Sequence, residues 1–450
     1  MKRTVRVATG QMQAFGLAQA DRGLEAIERL IHAAAEQQAD LLVLPECAYP
    51  AYLIESQDNF RRAAVLPAEE YVIRIARLAR KKRLHIASGL IEDTHTCLHN
   101  SAVLIDAAGQ VIGTYRKSFL WGADNDYFTP GDRPGVFDTE LGRIGLLICA
   151  DARAPEVTAR AVMGGAALMA MPTCWVNLAR ESGRFENPQP EYLIPARSRE
   201  FGVPFICANK FGRETQRIGY CGRSLIADRR GTVLSEAPGE GEFLGLAEVE
   251  CRDSAADPYT ANRWDELLST TEARRLPPAR SDLVTVGLVP GSAALSGQVR
   301  ELLQCGAAMI MAGGAAAAGF GGSDDLLLPE PLGEITPTVI GRVGRLRGPD
   351  VAGFAGTRLL ALQGLDILCV FDAPDDLQLL RARAVENRIF VFATGAGGAA
   401  AIAPDGSVLG QTSGARAAPL CVQMKPADAS VKTVFPGTDI WEQRRVEAYR

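Results

Sequence analysis

Three residues of different chemistry each stand where an apolar run stops: Glu46 after LLVLP, Lys117 after VIGTYR and Cys149 after GRIGLLI. A thiolate can attack an amide carbonyl to give an acyl-enzyme. A carboxylate can take the thiol proton and later activate water, while an ammonium can hold that carboxylate and stabilise the tetrahedral oxygen. Taken alone, a cysteine closing an apolar strand is more often a core residue than a nucleophile. What singles out Cys149 is its sequel, Ala150-Asp151 and then Ala154-Pro155-Glu156. That pattern reads as a sharp turn into a helix, which can expose the thiol and aim a backbone N–H at a developing oxyanion. No histidine is placed for this work: His32 falls in a helical run, His85 in a strand, and His95 and His99 in a short polar loop with no third metal-ligand pattern nearby.

The elements that must position these groups follow from periodicity. VRVATGQ, the helix-period segment Ala20–Gln37 and ADLLVLPE form a β-α-β unit that stops at a proline. A second helical run, Glu69–Lys82, leads to LHIASGLIE and then to two strands flanking a turn in SAVLIDAAGQVIGTYRK. After GRIGLLICAD come a helix over Val157–Gly164, a strand in AALMAMPTCWVN, a helix over Tyr192–Phe201, and strands in PFICANKFG, GRSLIADRRGTVLSEA and Leu244–Val249. Buried strands alternating with amphipathic helices indicate mixed sheets with helices outside. In such a fold the carboxyl ends of strands share a rim, so Glu46, Lys117 and Cys149 can meet.

The second half repeats this order with a large deletion. LVTVGLVPG, a helix over Ala294–Leu303 and AAMIMAGG parallel the opening unit, and GRVGRLRGPD repeats the frame of GRIGLLICAD with Gly348 where the cysteine stands. The position matching Glu46 falls near Gly314, and no Tyr-Arg-Lys segment occurs in the second copy. An internal tandem duplication accounts for the ordered matches, with the joint loss of all three charged or reactive groups leaving a packing domain. The expected division is a first copy over residues 1–253, a crossover over residues 254–282 and a truncated copy over residues 283–450.

A chain of 450 residues exceeds what one hydrophobic core usually supports, and 47% hydrophobic content can fill two. A net charge of −5, without aromatic-basic interleaving, gives no field for nucleic acid. The uncharged stretch Cys305–Gly322 is too rich in glycine and small residues for a membrane span, and the basic start lacks the apolar block of an export signal. Ten cysteines, many within apolar runs, read as reduced core residues of a cytoplasmic protein.

Together LPE at Pro45-Glu46, YRK at Tyr115–Lys117, YFTPG at Tyr127–Gly131 and CAD followed by PE at Cys149–Glu156 resemble the nitrilase, or carbon–nitrogen hydrolase, superfamily. The resemblance covers nearly all of Thr4–Val249 and continues weakly through the second half. It implies an α/β fold of the α-β-β-α sandwich type, no metal and no organic cofactor, with Glu46 as base, Lys117 as oxyanion and positioning residue and Cys149 as nucleophile. Many members carry a further glutamate before the Y-F-x-P-G motif. Its counterpart here is Asp124, with Asp126 the alternative. C-A-D leans toward amide or carbamoyl rather than nitrile substrates. Tyr127, Ala150, Trp175, Asn177 and Asn209 are the candidate substrate-binding residues, and Arg153 and Arg180 are weaker candidates for a carboxylate. The expected activity is cysteine-dependent hydrolysis of a small amide or N-carbamoyl compound, against nitrilase, acyltransferase or non-enzymatic scaffold alternatives. Members pair their sandwiches across a dimer interface, so the second copy is expected to form an internal pseudo-dimer with the first, with further homo-oligomerisation left open.

Overall fold

A computed structural model describes residues 3–176, 187–216, 218–252, 258–278, 281–290, 296–312, 333–338, 340–414 and 418–449. The chain divides into two compact units: residues 1–256, 435–438 and 443–450 form the first, residues 257–434 and 439–442 the second. This differs from a linear division, because two short C-terminal pieces belong with the first unit. The expected crossover is also more than a linker, since it contains the helix Pro258–Ser269. No described helix is long and apolar enough to cross a membrane.

In the first unit β1 (Arg3–Gln13), β2 (Leu41–Val43), β3 (His85–Asp93), β4 (Leu98–Ile105) and β5 (Val111–Arg116) build one sheet. A second begins with β6 (Val136–Thr139), β7 (Gly142–Leu146), β8 (Leu168–Pro172) and β9 (Phe205–Ala208). β10 (Lys210–Arg213) and β11 (Gly219–Cys221) return to the first sheet, β12 (Leu225–Ala227) and β13 (Val233–Glu236) to the second, and β14 (Phe243–Cys251) pairs antiparallel with β1. The orders are β11-β10-β1-β2-β3-β4-β5 and β13-β12-β9-β8-β7-β6. β1 and β2 pack against β8 and β9. The helix Ala20–Glu36 buries Leu24, Ile27, Leu30, Ile31 and Ala34, one stripe at helical spacing, beside Ala8, Leu42 and Ile86. Each large aliphatic side chain so buried contributes roughly 1.5–3 kcal/mol. The helices Pro155–Met163 and Ile194–Phe201 cover the other sheet through β7 and β12. The layering is helix, sheet, sheet, helix.

In the second unit Ala307–Ala312, Val284–Val289 and Leu420–Met424 form a three-stranded sheet. A six-stranded sheet runs from Ile335–Thr338 through Gly341–Arg347, Ile367–Phe371, Phe390–Gly395 and Gly398–Ile402 to Val408–Ser413. Its successive pairings are antiparallel, parallel, parallel, antiparallel and antiparallel. β6, β7, β8, β9, β12 and β13 pair in the same sequence of directions.

Two expectations need correction. His99 is not in a loop: it is a buried residue of β4 whose Nδ1 lies 2.7 Å from the Thr129 carbonyl, because the β3–β4 pairing begins at Leu98. The strand expected within AALMAMPTCWVN ends at Pro172, before Cys174 and Trp175. The position near Gly314 lies outside the described residues.

Candidate active site

Glu46 is carried to its place by a loop laid directly on β3. The Leu44 N–H donates to the Ala87 carbonyl (2.8 Å), Gly89 N–H to the Pro45 carbonyl and Ala48 N–H to the Gly89 carbonyl (both 3.1 Å). A Cβ on Gly89 would stand 2.5 Å from the Cys47 nitrogen and 2.6 Å from the Glu46 Cα, so only glycine admits this approach. Lys117 follows β5, its N–H bonded to the Asn100 carbonyl and its carbonyl accepting from Gly131 N–H, both at 2.8 Å. The glycine of YFTPG is thereby explained, since a Cβ there would strike the Arg116 carbonyl.

Cys149 opens a 3-10 turn, Cys149–Arg153, with φ 46°, a strained value for a residue with a side chain. Asp151 holds the turn. Its Oδ2 accepts from Ile148 N–H and the Tyr115 hydroxyl (2.9 Å each), and its Oδ1 from Phe119 N–H at 2.8 Å and Ser118 N–H at 3.2 Å. The cysteine turn is thus fastened to the segment that follows Lys117. Burial raises the Asp151 carboxyl to about 6, against the pull of the Phe119 and Ile148 N–H groups, which favour the anion.

The charged groups converge without solvent. Lys117 Nζ donates to Glu46 Oε1 at 2.7 Å and to Asp124 Oδ2 at 2.6 Å, and all three side chains are at most 1% exposed. Asn100 Nδ2 adds a 2.7 Å bond to the same Glu46 oxygen, and Trp121 N–H donates to Asp124 Oδ2 at 3.0 Å. Glu46 Oε2 and Asp124 Oδ1 are left buried without a hydrogen-bond partner. Burial alone would lower the Lys117 ammonium, but Asp124 and Glu46 outweigh it and hold it well above its ordinary value. Burial, then the Glu46 charge, push the Cys149 thiol up, while Lys117 and the Cys174 N–H bonded to it pull the other way. The resting site therefore holds a neutral thiol near a carboxylate with one free oxygen, which is the arrangement a base needs.

The remaining candidates divide. Asp124 is the acid that meets Lys117; Asp126 is exposed. Tyr127 is half-buried beside a cavity, and Ala150 is buried in the cysteine turn. Trp175 is buried, with its indole N–H donating to the Gln189 amide oxygen at 3.1 Å, while the amide nitrogen of Gln189 donates to the Cys149 carbonyl at 2.7 Å. Asn209 is spent on the framework: its oxygen accepts from Trp175 N–H at 2.8 Å and its nitrogen donates to the Gly222 carbonyl at 2.6 Å. Both ends of its amide are thus held by the backbone around the site. Arg153 stacks over the Trp121 ring at 4.3 Å. Asn177 and Arg180 lie outside the described residues. Asn100 and Gln189 were missed, and the one signal for Asn100 is an amide inside the apolar run LHNSAVLI.

Residues 6–259 match the family described as carbon-nitrogen hydrolase. The chain is 33% identical over 248 residues to a nitrilase of Pyrococcus abyssi, covering 55% of this chain and 90% of that protein. It is 28% identical over 239 residues to an N-carbamoylputrescine amidase of Arabidopsis thaliana, covering 50% and 80%. Among solved structures, a double mutant of the amidase from Nesterenkonia sp. AN1 in complex with acrylamide superposes with a TM-score of 0.50 at 26% identity, covering 58% of this chain and 95% of that one.

Proposed function

Because the chain belongs to the carbon–nitrogen hydrolase family, we propose that its first unit hydrolyses the C–N bond of a small amide or N-carbamoyl compound through a thioester on Cys149. Glu46 Oε2 takes the thiol proton as sulfur bonds to the carbonyl carbon. Lys117, with the N–H of Ala150, stabilises the oxyanion that forms. Collapse breaks the C–N bond, and the proton on Glu46 leaves with ammonia or amine. Glu46 then takes a proton from water as its oxygen attacks the thioester; the acid departs and the proton returns to sulfur. Asp124 shares the Lys117 ammonium and keeps it charged throughout. The relatives that act on amides and carbamoyl compounds support this class of substrate. The observation that carries the reading is the unpartnered Glu46 oxygen in a cluster that already neutralises its other oxygen.

The test is intact-protein mass spectrometry of wild type and Cys149→Ala with primary amides, N-carbamoyl amines and nitriles, while released ammonia is followed. Ammonia and an acyl adduct that both require Cys149 are expected from amides or carbamoyl compounds. An adduct resolved by added amine but not by water assigns acyl transfer instead, and turnover by Cys149→Ala refutes the scheme.

We infer further that the second unit is a degenerate copy of the first, kept as its structural counterpart in an internal pseudo-dimer. The matching strand directions support this, and so do local details. Arg347 N–H reaches Asp350 Oδ2 at 3.3 Å as Ile148 N–H reaches Asp151 Oδ2. Arg383 bonds the Val351 carbonyl at 2.9 Å and pairs with Glu386, as Arg197 bonds the Ala152 carbonyl at 3.1 Å and pairs with Glu200. The turn is kept where the thiol is replaced by Gly348.

A further inference from the structure

A cavity of about 630 Å³ adjoins the charged cluster, within the usual range for a small-molecule site. Its walls include Tyr52, Trp121, Tyr127, Ile218 and Phe435, all residues of the first unit, with Glu55 at the exposed rim. Trp121 reaches the cluster through its N–H bond to Asp124. The buried Tyr52 phenol keeps its proton because of burial and the nearby charges of Asp124 and Glu46. The cavity therefore borders the charged cluster through Tyr52 and Trp121, and its walls are mainly apolar, with Thr215 and Gln216 among them.

Phe435 comes from far along the chain. The run Phe435-Pro436-Gly437-Thr438 has Pro followed by Gly, the pairing a type II turn favours, and Gly437 has the positive φ, 77°, that such a turn requires at its third position. The turn is fixed to the loop that bears Asp124: Gly122 N–H donates to Thr438 Oγ1 at 2.6 Å and Asn125 Nδ2 to the Gly437 carbonyl at 2.9 Å. Phe435 stacks on Trp121 with ring centroids 5.5 Å apart. Gly122 has φ 54°, and a Cβ there would stand 2.9 Å from the Phe435 ring. Farther on, Arg444 pairs at 3.1 Å with Glu156 on the helix behind the cysteine turn, both side chains at most 2% exposed. Arg445 donates to the Gly131 carbonyl at 2.9 Å.

We propose that Phe435 is a specificity-determining residue, the wall with Trp121 and Tyr52 against which the non-reacting end of the amide packs, and that this end is apolar. The inference rests on the hydrolase reading of Cys149. Truncating an apolar wall weakens discrimination between long and short substrates by about tenfold or more.

The experiment uses full-length protein with acetamide, hexanamide and phenylacetamide. Wild type is expected to favour the two apolar amides in kcat/KM. Phe435→Ala should lower the ratio of phenylacetamide to acetamide kcat/KM about tenfold or more, chiefly through KM, and Phe435→Leu should recover most of it. An unchanged ratio in a Phe435→Ala protein with native circular dichroism overturns the proposal. Should Phe435→Ala not fold, competition among the three amides for the Cys149 adduct of wild type decides: a hexanoyl or phenylacetyl adduct supports the proposal, an acetyl adduct overturns it. Lack of both an adduct and ammonia release from these amides overturns this inference, and the same silence with N-carbamoyl amines overturns the hydrolase reading as well.

Discussion

Asp124, just before the YFTPG motif, and Asp151, within CAD, show how two buried aspartates can differ in use. The shorter acid at 124 still reaches Lys117, because the turn of helix Asp124–Tyr127 folds it inward and Trp121 N–H orients it. Asp151 instead braces the cysteine turn, and its raised carboxyl has a thermodynamic consequence. A carboxyl raised from 3.8 to about 6 binds its proton more tightly in the folded state. Its contribution to stability therefore declines as pH rises through that window and is flat above it, by on the order of 3 kcal/mol. The advantage of wild type over Asp151→Asn in thermal stability should thus fall between about pH 4 and pH 6; a gap that grows with pH would contradict this. At this scale Glu46, Lys117 and Cys149 were legible as candidates because each stands where an apolar run stops, whereas Asp124 was legible only from the resemblance of the stretch before YFTPG to the family motif. Asn100 and Gln189 were not, since a single amide carries no pattern and its partner is known only once the strands are paired.

Among elements, the helices read directly from their spacing: Ala20–Glu36 and Ala68–Lys82 fall within a residue or so of expectation. Strand ends were harder, because an apolar run such as PTCWV continues past the last ladder bond into a buried loop. β3 contributes more than pairing. Gly89 leaves the space through which the Glu46 loop crosses, with three backbone atoms within 2.6 Å of where a Cβ would lie. Gly89→Ala should therefore displace Glu46 from Lys117 and lower kcat far more than KM, with a fall in melting temperature. Normal turnover by Gly89→Ala would show that the loop can shift without cost.

For the molecule as a whole, alternation of strand and helix led to the expectation of a repeated order, and the two six-stranded sheets pair their strands in the same sequence of directions. Hidden from the sequence was the return of residues 435–438 and 443–450 to the first unit: F-P-G-T announces a turn but not the surface it lands on. A fragment of residues 1–281 lacks Phe435 and takes Arg444 from the buried Glu156 carboxylate, a loss of about 3–5 kcal/mol. It should melt lower than the full chain and lose most Cys149-dependent ammonia release; a soluble, fully active fragment would refute both the structural role of the second half and the reach of the C-terminal pieces.

The same return sets an order of events during synthesis. Translation delivers Glu46, Lys117 and Cys149 early, but Phe435 and Arg444 are made only after residues 257–434, nearly all of the second unit. A nascent chain thus carries its reactive thiol for the time needed to add some three hundred residues, tens of seconds at about 5–20 residues per second, before the pieces that finish the first unit exist.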